Sequence, residues 1–388
     1  MINLSKLYGL TDAPGDALRY GTAQCAQGPR RPVVVWNATR RCNLRCAHCY
    51  ADSDDAPADG ELTTDEAVTL IDDLAGFGAA VLLISGGEPL LRSDLVELVA
   101  HARHAGLRTA LSTNATLAST DLAQRLGEAG LSYAGVSFDG TPATHDAFRG
   151  ARGAYDAATA GLRHFRQANV RVGLRFTLTR DNAADAPAMF DLARREGVDR
   201  LCFYHLVATG RGAALDARSL SHSGTRRVLD ALIDAAVSAH RTDRPAEVLT
   251  VDNHADGPYA YLRLRREDPD AAERSLALLR RQGGNASGER IACIGWRGDV
   301  HPDPFWRTRA VGNVRRRPFS AIWSDARQPL LAALRARPAG LTGRCSRCRW
   351  LDVCNGNLRA RAEAAGDPWG DDPACYLTDA EIDPNRDV

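Results

Sequence analysis

Three cysteines lie close together in the stretch 42–50. Cys42, Cys46 and Cys49 have the spacing C-x3-C-x2-C. Three thiolates on one short loop can bind three corners of a 4Fe–4S cube and leave the fourth iron open to another ligand, and an open position is typical of a working metal. The alternative is a zinc site with His48 as fourth ligand, but Cys46 and Cys49 flank that ring so closely that it would struggle to reach the same ion.

Four further cysteines lie near the end of the chain. Cys345, Cys348 and Cys354 have the spacing C-x2-C-x5-C, and Cys375 follows after twenty residues. Four thiolates can close a second cluster completely, although the same spacing would also permit a structural zinc. Because no disulfide-forming compartment is indicated, the cysteines of this chain favour metal ligation or buried thiols.

A glycine-rich turn, Ser85-Gly86-Gly87-Glu88-Pro89, follows the second predicted strand. Glycine at these positions would let a ligand approach the backbone closely, and the carboxylate of Glu88 would suit an ammonium group. By itself the turn could be only a sharp corner. The turn is stronger evidence for a ligand site when it is taken together with the cysteine triplet, because the triplet follows the first predicted strand, at 32–37.

Alternating strands and helices must position these loops. Strands are predicted at 32–37, 80–84, 107–112, 133–138, 170–178 and 200–207, and helices at 63–77, 94–105, 120–129, 155–168 and 186–196. This alternation predicts an α/β fold with a parallel sheet and right-handed crossovers. Six units could form an open sheet or a partial barrel, and in both the loops at the carboxyl ends of the strands carry the chemistry.

The rest of the chain divides by composition. We predict an irregular N-terminal arm over 1–30, the barrel over 31–215, a helical connecting segment over 216–290 and a loop-rich domain over 291–388. With 388 residues, 44% of them hydrophobic, the chain can bury a full-sized core, and a net charge of +1 gives no reason to expect a nucleic acid or membrane partner. No signal peptide or membrane-spanning run is recognised, so we expect a cytoplasmic protein.

The cysteine triplet together with Gly86-Gly87-Glu88-Pro89 resembles the radical S-adenosylmethionine (SAM) superfamily. The resemblance implies a partial (β/α)6 TIM-like barrel and a SAM-bound 4Fe–4S cluster on the three cysteines. Such a cluster cleaves SAM to a 5′-deoxyadenosyl radical.

The four C-terminal cysteines resemble the SPASM/twitch extension of that superfamily, which implies a loop-rich auxiliary Fe–S domain with a second 4Fe–4S cluster. Leu358 stands where the extension carries a further cysteine, and the upstream cysteine pair of the full pattern is absent. We therefore expect one auxiliary cluster, with Cys293 as a weak candidate for an extra ligand.

The resemblance also implies contacts to SAM, mostly at strand ends. The implied residues are Tyr50, Gly86, Gly87, Glu88, Ser112, Asn114, Ser137, Asp139 and Arg175. Gly86, Gly87 and Glu88 would lie near the amine, and Arg175 matches a position that often meets the carboxylate. Asn114 and Asp139 could instead be ordinary turn residues.

A closer resemblance, to the radical SAM enzymes of haem d1 biosynthesis, extends over nearly the whole chain and includes the stretches 173–179, 283–288 and 311–314. It implies removal of propionate side chains from a tetrapyrrole, 12,18-didecarboxysirohaem, and a reducing partner such as flavodoxin or ferredoxin. Candidate substrate contacts are His205, Arg211 and Asn285. The chain departs from this pattern at Ala208-Thr209, at His254 and at 293–296.

Other functions stay open at this stage. The alternatives within the superfamily are a decarboxylase or modifying enzyme for another porphyrin, a sugar acid or nucleoside, or a peptide. Outside it, an Fe–S or zinc sensor would have the same cysteines but would leave Gly86-Gly87-Glu88 unexplained.

Overall fold

The computed structural model describes residues 1–13, 15–20, 31–241, 246–383 and 385. Within them one sheet contains eleven strands in the order β1-β8-β7-β6-β5-β4-β3-β2-β9-β10-β11. The strands are β1 (Ile2–Asn3), β2 (Val33–Thr39), β3 (Val81–Gly86), β4 (Thr109–Thr113), β5 (Tyr133–Ser137), β6 (Arg171–Leu178), β7 (Arg200–His205), β8 (Glu247–Val251), β9 (Ile291–Ile294), β10 (Asp299–His301) and β11 (Gly312–Asn313).

Helices alternate with the strands of the barrel and continue into the C-terminal domain. They are α1 (Leu4–Leu7), α2 (Asp16–Tyr20), α3 (Thr64–Phe77), α4 (Leu95–His104), α5 (Thr120–Ala129), α6 (Pro142–Arg149), α7 (Ala154–Gln167), α8 (Ala186–Glu196), α9 (His222–His240), α10 (Asp256–Glu267), α11 (Pro269–Gln282), α12 (Phe319–Trp323), α13 (Pro329–Arg335), α14 (Leu351–Cys354), α15 (Arg359–Ala364) and α16 (Asp379–Ile382). None of these helices is long and apolar enough to span a bilayer.

The prediction of a partial barrel is confirmed. β2 to β8 pair in parallel in sequence order, and β9 pairs in parallel with β2 on the other side. β1 pairs antiparallel with β8, and β10 and β11 extend the opposite edge, so the sheet is not closed. The six predicted strands are β2 to β7.

The two faces of the sheet have different environments, because successive side chains of a strand point to opposite faces. On β2, Val34 and Trp36 are fully buried in the main core. Val33 and Val35 instead line an interior cavity. The parallel strands therefore hold a ring of inward side chains beneath the loops at their carboxyl ends.

Three sequence predictions were wrong. The arm 1–30 is not wholly irregular, since β1 and α1 pack into the sheet and core, although residues 14 and 21–30, with Cys25, lie outside the described residues. The segment 216–290 is not purely helical, because it contains β8. The predicted list also lacked α6. Because β8 and β9 belong to the barrel sheet, divisions at 215 and 290 cut through that sheet.

The turn after β3 provides a test of the packing that positions the site. A Cβ on Gly87 would lie 2.1 Å from the carbonyl oxygen of Arg41, whereas one on Gly76, inside α3, would meet nothing within 4 Å. We expect Gly87→Ala to lower the free energy of unfolding by about 3 kcal/mol and Gly76→Ala to raise it by about 0.5–1 kcal/mol. Urea titration followed by circular dichroism measures both, and a Gly87→Ala protein as stable as the parent would contradict this packing.

Candidate active site

The first cysteine loop leaves the carboxyl end of β2. Cys42 and Cys46 are 7% and 8% exposed and pack with Leu44, while Cys49 is half-buried beside them. The backbone amide of Cys42 donates to Asp54 O over 2.7 Å and closes the base of the loop. The three thiols are therefore held on one ordered loop.

N–H groups point at each of the three sulfurs. Leu44 N lies 3.4 Å from Cys42 Sγ, Ser53 N lies 3.4 Å from Cys49 Sγ, and Arg149 Nη1 lies 3.5 Å from Cys46 Sγ. Burial raises the pKa of the Cys42 thiol to about 12, so a bound metal is needed to hold it as a thiolate. Donors aimed at buried sulfurs fit thiolates that bind an iron–sulfur cluster.

The ring of His48 contacts other side chains of the protein. Its ring stacks on Phe148 at 4.7 Å between centroids, and its Nε2 lies 3.8 Å from Asp139 Oδ2. Burial lowers its pKa to about 4. The His48 ring is therefore engaged by protein groups, which disfavours a zinc site completed by His48.

Glycine is needed at positions 86 and 87, at the end of β3, for a different reason from the one predicted. Gly86 has φ +125°, and a Cβ there would lie 2.3 Å from Thr39 O. A Cβ on Gly87 would likewise clash with the backbone of Arg41. Protein backbone, rather than a ligand, occupies the space beside both glycines. They allow the end of β2, which leads into the cysteine loop, to pack directly on the end of β3.

Glu88 also differs from its predicted role. Its carboxylate is fully buried and accepts hydrogen bonds from Thr113 Oγ1 at 2.7 Å, Asn114 N at 2.8 Å and Leu90 N at 3.0 Å. Burial raises its pKa to about 7. This side chain joins the ends of β3 and β4 and does not present a free carboxylate to an ammonium group.

Arg175 lies inside the barrel beside Ser112. Its Nη1 donates to Ser112 Oγ over 2.8 Å, and its Nε is buried without a hydrogen-bond partner. A Cβ on Gly135 would lie 2.1 Å from that Nε, so the glycine leaves room for the guanidinium. Its neighbours are tyrosines and Cys202 rather than carboxylates. A half-buried cation with an unused, buried donor fits the carboxylate of bound SAM.

Three other predicted SAM residues lie around the same opening. The Tyr50 hydroxyl donates to Asn37 Oδ1 over 2.8 Å and lines the interior cavity. Asn114 Nδ2 donates to Asn43 Oδ1 over 2.9 Å and lies 3.9 Å from Cys42 Sγ. Ser137 is half-buried and stands opposite Arg175 in the sheet. Their contacts with SAM remain predictions.

Asp139 and Arg211 both support the cysteine loop. Asp139 is fully buried, forms an ion pair with Arg149 and accepts from Thr177 N over 2.9 Å, so its predicted contact with SAM is corrected to a positioning role. Arg211 donates to Cys46 O and to Asp52 Oδ1, each over 3.1 Å. Its Nη2 is buried without a hydrogen-bond partner, so its contact with substrate stays a prediction.

The other two predicted substrate residues are also engaged. His205 Nε2 lies 2.8 Å from Asp256 Oδ2, and its side chain lines a cavity of about 990 Å3 beside the carboxyl end of β7. Asn285 is 2% exposed, and its Oδ1 accepts from Arg337 Nη1 over 2.7 Å. Asn285 N donates to Cys354 O over 3.0 Å. Asn285 thus holds the auxiliary cysteines in place at the edge of the interior cavity, which it also lines.

The interior cavity has a volume of about 690 Å3. It extends from Val33 and Ala80 at the amino ends of the strands to Tyr50 and Phe305 at their carboxyl ends. Phe305 also lines the 990 Å3 cavity, so the two cavities are neighbours. Residues of the barrel, the cysteine loop and the C-terminal domain all line the interior cavity.

The four C-terminal cysteines come together. Burial raises the pKa of Cys354 well above its ordinary value, and the neighbouring Cys375, Cys348 and Cys345 raise it further. Trp350 N lies 3.4 Å from Cys348 Sγ. Four thiols within electrostatic range of one another, with an N–H donor to one sulfur, fit an auxiliary cluster.

The remaining described cysteines lie elsewhere. Cys293 is on β9, and Asn37 Nδ2 donates to its Sγ over 3.5 Å. Cys202 packs inside the barrel with Leu249 and Val251. Neither joins the C-terminal group, so the suggestion that Cys293 is an extra cluster ligand is not supported.

Arg149 is the residue at this site that the sequence prediction missed. It ends α6, and the signal for that helix was present in Thr141-Pro142 at its start and Gly150 after its end.

Iron counting tests the two groups of cysteines. Anaerobically reconstituted protein should hold about eight irons, and Cys42→Ala or Cys345→Ala should hold about four because each removes a ligand of one cluster. Cys202→Ala and Cys293→Ala are matched controls and should keep about eight. Loss of about four irons in Cys293→Ala would contradict the assignment of ligands.

SAM affinity tests the orphaned donor of Arg175. Arg175→Met should weaken SAM binding about 10–100-fold, because a charged hydrogen bond contributes about 1.5–3 kcal/mol. Arg171→Met, on the same strand but beside Asp199 at 3.9 Å, should bind as the parent does. Equilibrium dialysis with labelled SAM measures both, and equal affinities for all three proteins would rule out this role.

Comparison with known proteins agrees with this geometry. Residues 36–193 match the radical SAM superfamily, and residues 287–349 match SPASM, an iron–sulfur cluster-binding domain. The chain is 50% identical to Fe-coproporphyrin III synthase of Methanosarcina barkeri over 98% of its own length and 99% of the relative's. It is 45% identical to Pre-heme d1 synthase of Dinoroseobacter shibae over 94% and 90% of the two chains.

Among solved structures, SuiB of Streptococcus suis bound to its precursor peptide SuiA shares the fold with a TM-score of 0.71 at 17% identity, over 89% of this chain and 76% of SuiB. The chain belongs to the radical SAM superfamily, as an enzyme with a SAM-bound 4Fe–4S cluster and a SPASM domain for auxiliary iron–sulfur.

Proposed function

We propose that this enzyme removes propionate side chains from 12,18-didecarboxysirohaem, a tetrapyrrole, in the synthesis of haem d1. The observation that supports this most is the interior cavity of about 690 Å3. Tyr50 from the cysteine loop, Arg175 from the barrel and Phe305 from the C-terminal domain all line it. A substrate there would meet SAM on one side and the auxiliary domain on the other.

When bound, the cluster and SAM supply the radical that abstracts a substrate hydrogen atom. The chain's own residues orient the reactants and exclude water. Cys42, Cys46 and Cys49 hold the cluster at the carboxyl edge of the sheet, and Arg175 with Ser112 orients SAM. Of the SAM residues first predicted, Tyr50, Ser137 and Asn114 complete that pocket.

The cavity walls suit a large apolar ring. Its lining is mostly aliphatic on the barrel side, from Val35, Leu83, Val251 and Ile291, and such walls bury the face of a macrocycle favourably. Phe305 also borders the neighbouring 990 Å3 cavity. A small sugar acid would leave most of the interior cavity unfilled.

The two relatives described above both support a tetrapyrrole substrate, but their names point to different reactions. The D. shibae protein is named for pre-haem d1 and the M. barkeri protein for iron coproporphyrin III. The second candidate function is therefore synthesis of iron coproporphyrin III, favoured by 50% identity against 45%. We further propose that a flavodoxin or ferredoxin reduces the enzyme.

Product analysis tests the proposal. The anaerobic enzyme, given SAM, dithionite and didecarboxysirohaem, should form 5′-deoxyadenosine and a macrocycle that has lost two propionates, as read by mass spectrometry. Iron coproporphyrin III as product would assign the second function. Deoxyadenosine without any change of the macrocycle would defeat both tetrapyrrole assignments, and Cys42→Ala is the control that should form neither product.

A further inference from the structure

The C-terminal residue of α6 reaches the first cysteine loop. Arg149 Nη1 lies 3.5 Å from Cys46 Sγ, and its other terminal nitrogen forms an ion pair with Asp139. Arg149 is 6% exposed and Asp139 is fully buried. A guanidinium thus lies between a cluster ligand and a carboxylate, out of contact with water.

We propose that Arg149 is a positioning residue that raises the reduction potential of the SAM-binding cluster and that Asp139 limits this effect. The inference rests on the SAM-binding cluster that the proposed function also requires, at Cys42, Cys46 and Cys49, and not on the choice of substrate. Neither Arg149 nor its helix belongs to the predicted ligand set.

The backbone fixes the position of Arg149. Ala47 N donates to Phe148 O over 3.0 Å, which joins the last turn of α6 to the cysteine loop. Gly150 follows with φ +69°, and a Cβ there would lie 3.0 Å from Arg45 O. The helix end and the loop are therefore in direct contact, and the guanidinium has little freedom to turn away from Cys46.

Electrostatics gives the direction of the effect. Reduction adds one negative charge to the cluster, and a buried cation next to a cluster sulfur stabilises the more negative state. The carboxyl end of α6 carries a partial negative charge that opposes reduction. Arg149 offsets that charge, and Asp139, behind the guanidinium, weakens the field at Cys46.

Arg211 contacts the same loop in a different way. It donates to Cys46 O and Asp52, and among the described residues no sulfur accepts a hydrogen bond from its side chain. Arg211 can therefore hold the backbone without a charge-assisted bond to a cluster ligand. Arg149 differs because its hydrogen bond ends on a cluster ligand.

The test is a redox titration of the full-length, reconstituted enzyme, following the electron paramagnetic resonance signal that changes when SAM is added. At the midpoint of the parent, Arg149→Gln should lower the ratio of reduced to oxidised cluster about tenfold, or about 59 mV for one electron. Asp139→Asn should raise that ratio. Arg152→Gln removes an exposed charge three residues away and is the control that should leave it unchanged.

Opposite shifts of the reduction potential in Arg149→Gln and Asp139→Asn separate an electrostatic role from a packing role, since loss of packing would shift both potentials in one direction. Unchanged potentials with normal iron content, or shifts of the same sign, would overturn the inference. If Arg149→Gln does not assemble the cluster, Arg149→Lys, which keeps the charge, should assemble it with a potential near the parent's. A tenfold lower ratio of reduced to oxidised cluster in Arg149→Lys would also overturn the inference. A parent protein without a SAM-responsive cluster would instead defeat the proposed function.

Discussion

The site depends on close packing between the ends of two neighbouring strands. Gly87 N donates to Thr39 O and Glu88 N to Arg41 O, each over 2.8 Å. The cysteine loop begins one residue after Arg41. These two bonds, which only glycines at 86 and 87 allow, fix where the loop starts relative to the barrel. Glu88 extends the connection to Thr113 and Asn114, so hydrogen bonds join the ends of three strands.

Later parts of the chain then enclose the loop from other sides. A Cβ on Gly210 would lie 2.5 Å from Cys49 O, so the segment after β7 packs on the loop backbone. Phe305 meets Tyr50 edge-on at 5.5 Å, and Arg307 Nη1 lies 3.5 Å from Tyr50 O. The C-terminal domain therefore contacts Tyr50, which follows the last cysteine of the first cysteine loop. This contact places the auxiliary domain over the interior cavity.

Strong periodicity made most of the barrel predictable. Helix 186–196 was predicted to the residue, and β2 to β7 within two or three residues, because long apolar runs alternate with amphipathic helices. β8 was missed although 247–251 is rich in β-branched residues, since long helices surround it. β1 has two residues and no sequence signal of its own. The predicted SAM contacts of Tyr50, Ser112, Asn114, Ser137 and Arg175 stay predictions, and sequence could not show that Glu88, Asp139 and Arg211 already have protein partners.

We infer that the first cysteine loop leaves one iron open to SAM, beside Arg175. Pulsed electron paramagnetic resonance on the reduced enzyme, with SAM labelled at the methionine nitrogen and carboxylate, tests this arrangement. We expect hyperfine coupling from both labels to the cluster, because amine and carboxylate would bind the open iron. A SAM-saturated, reduced cluster without either coupling would contradict the arrangement.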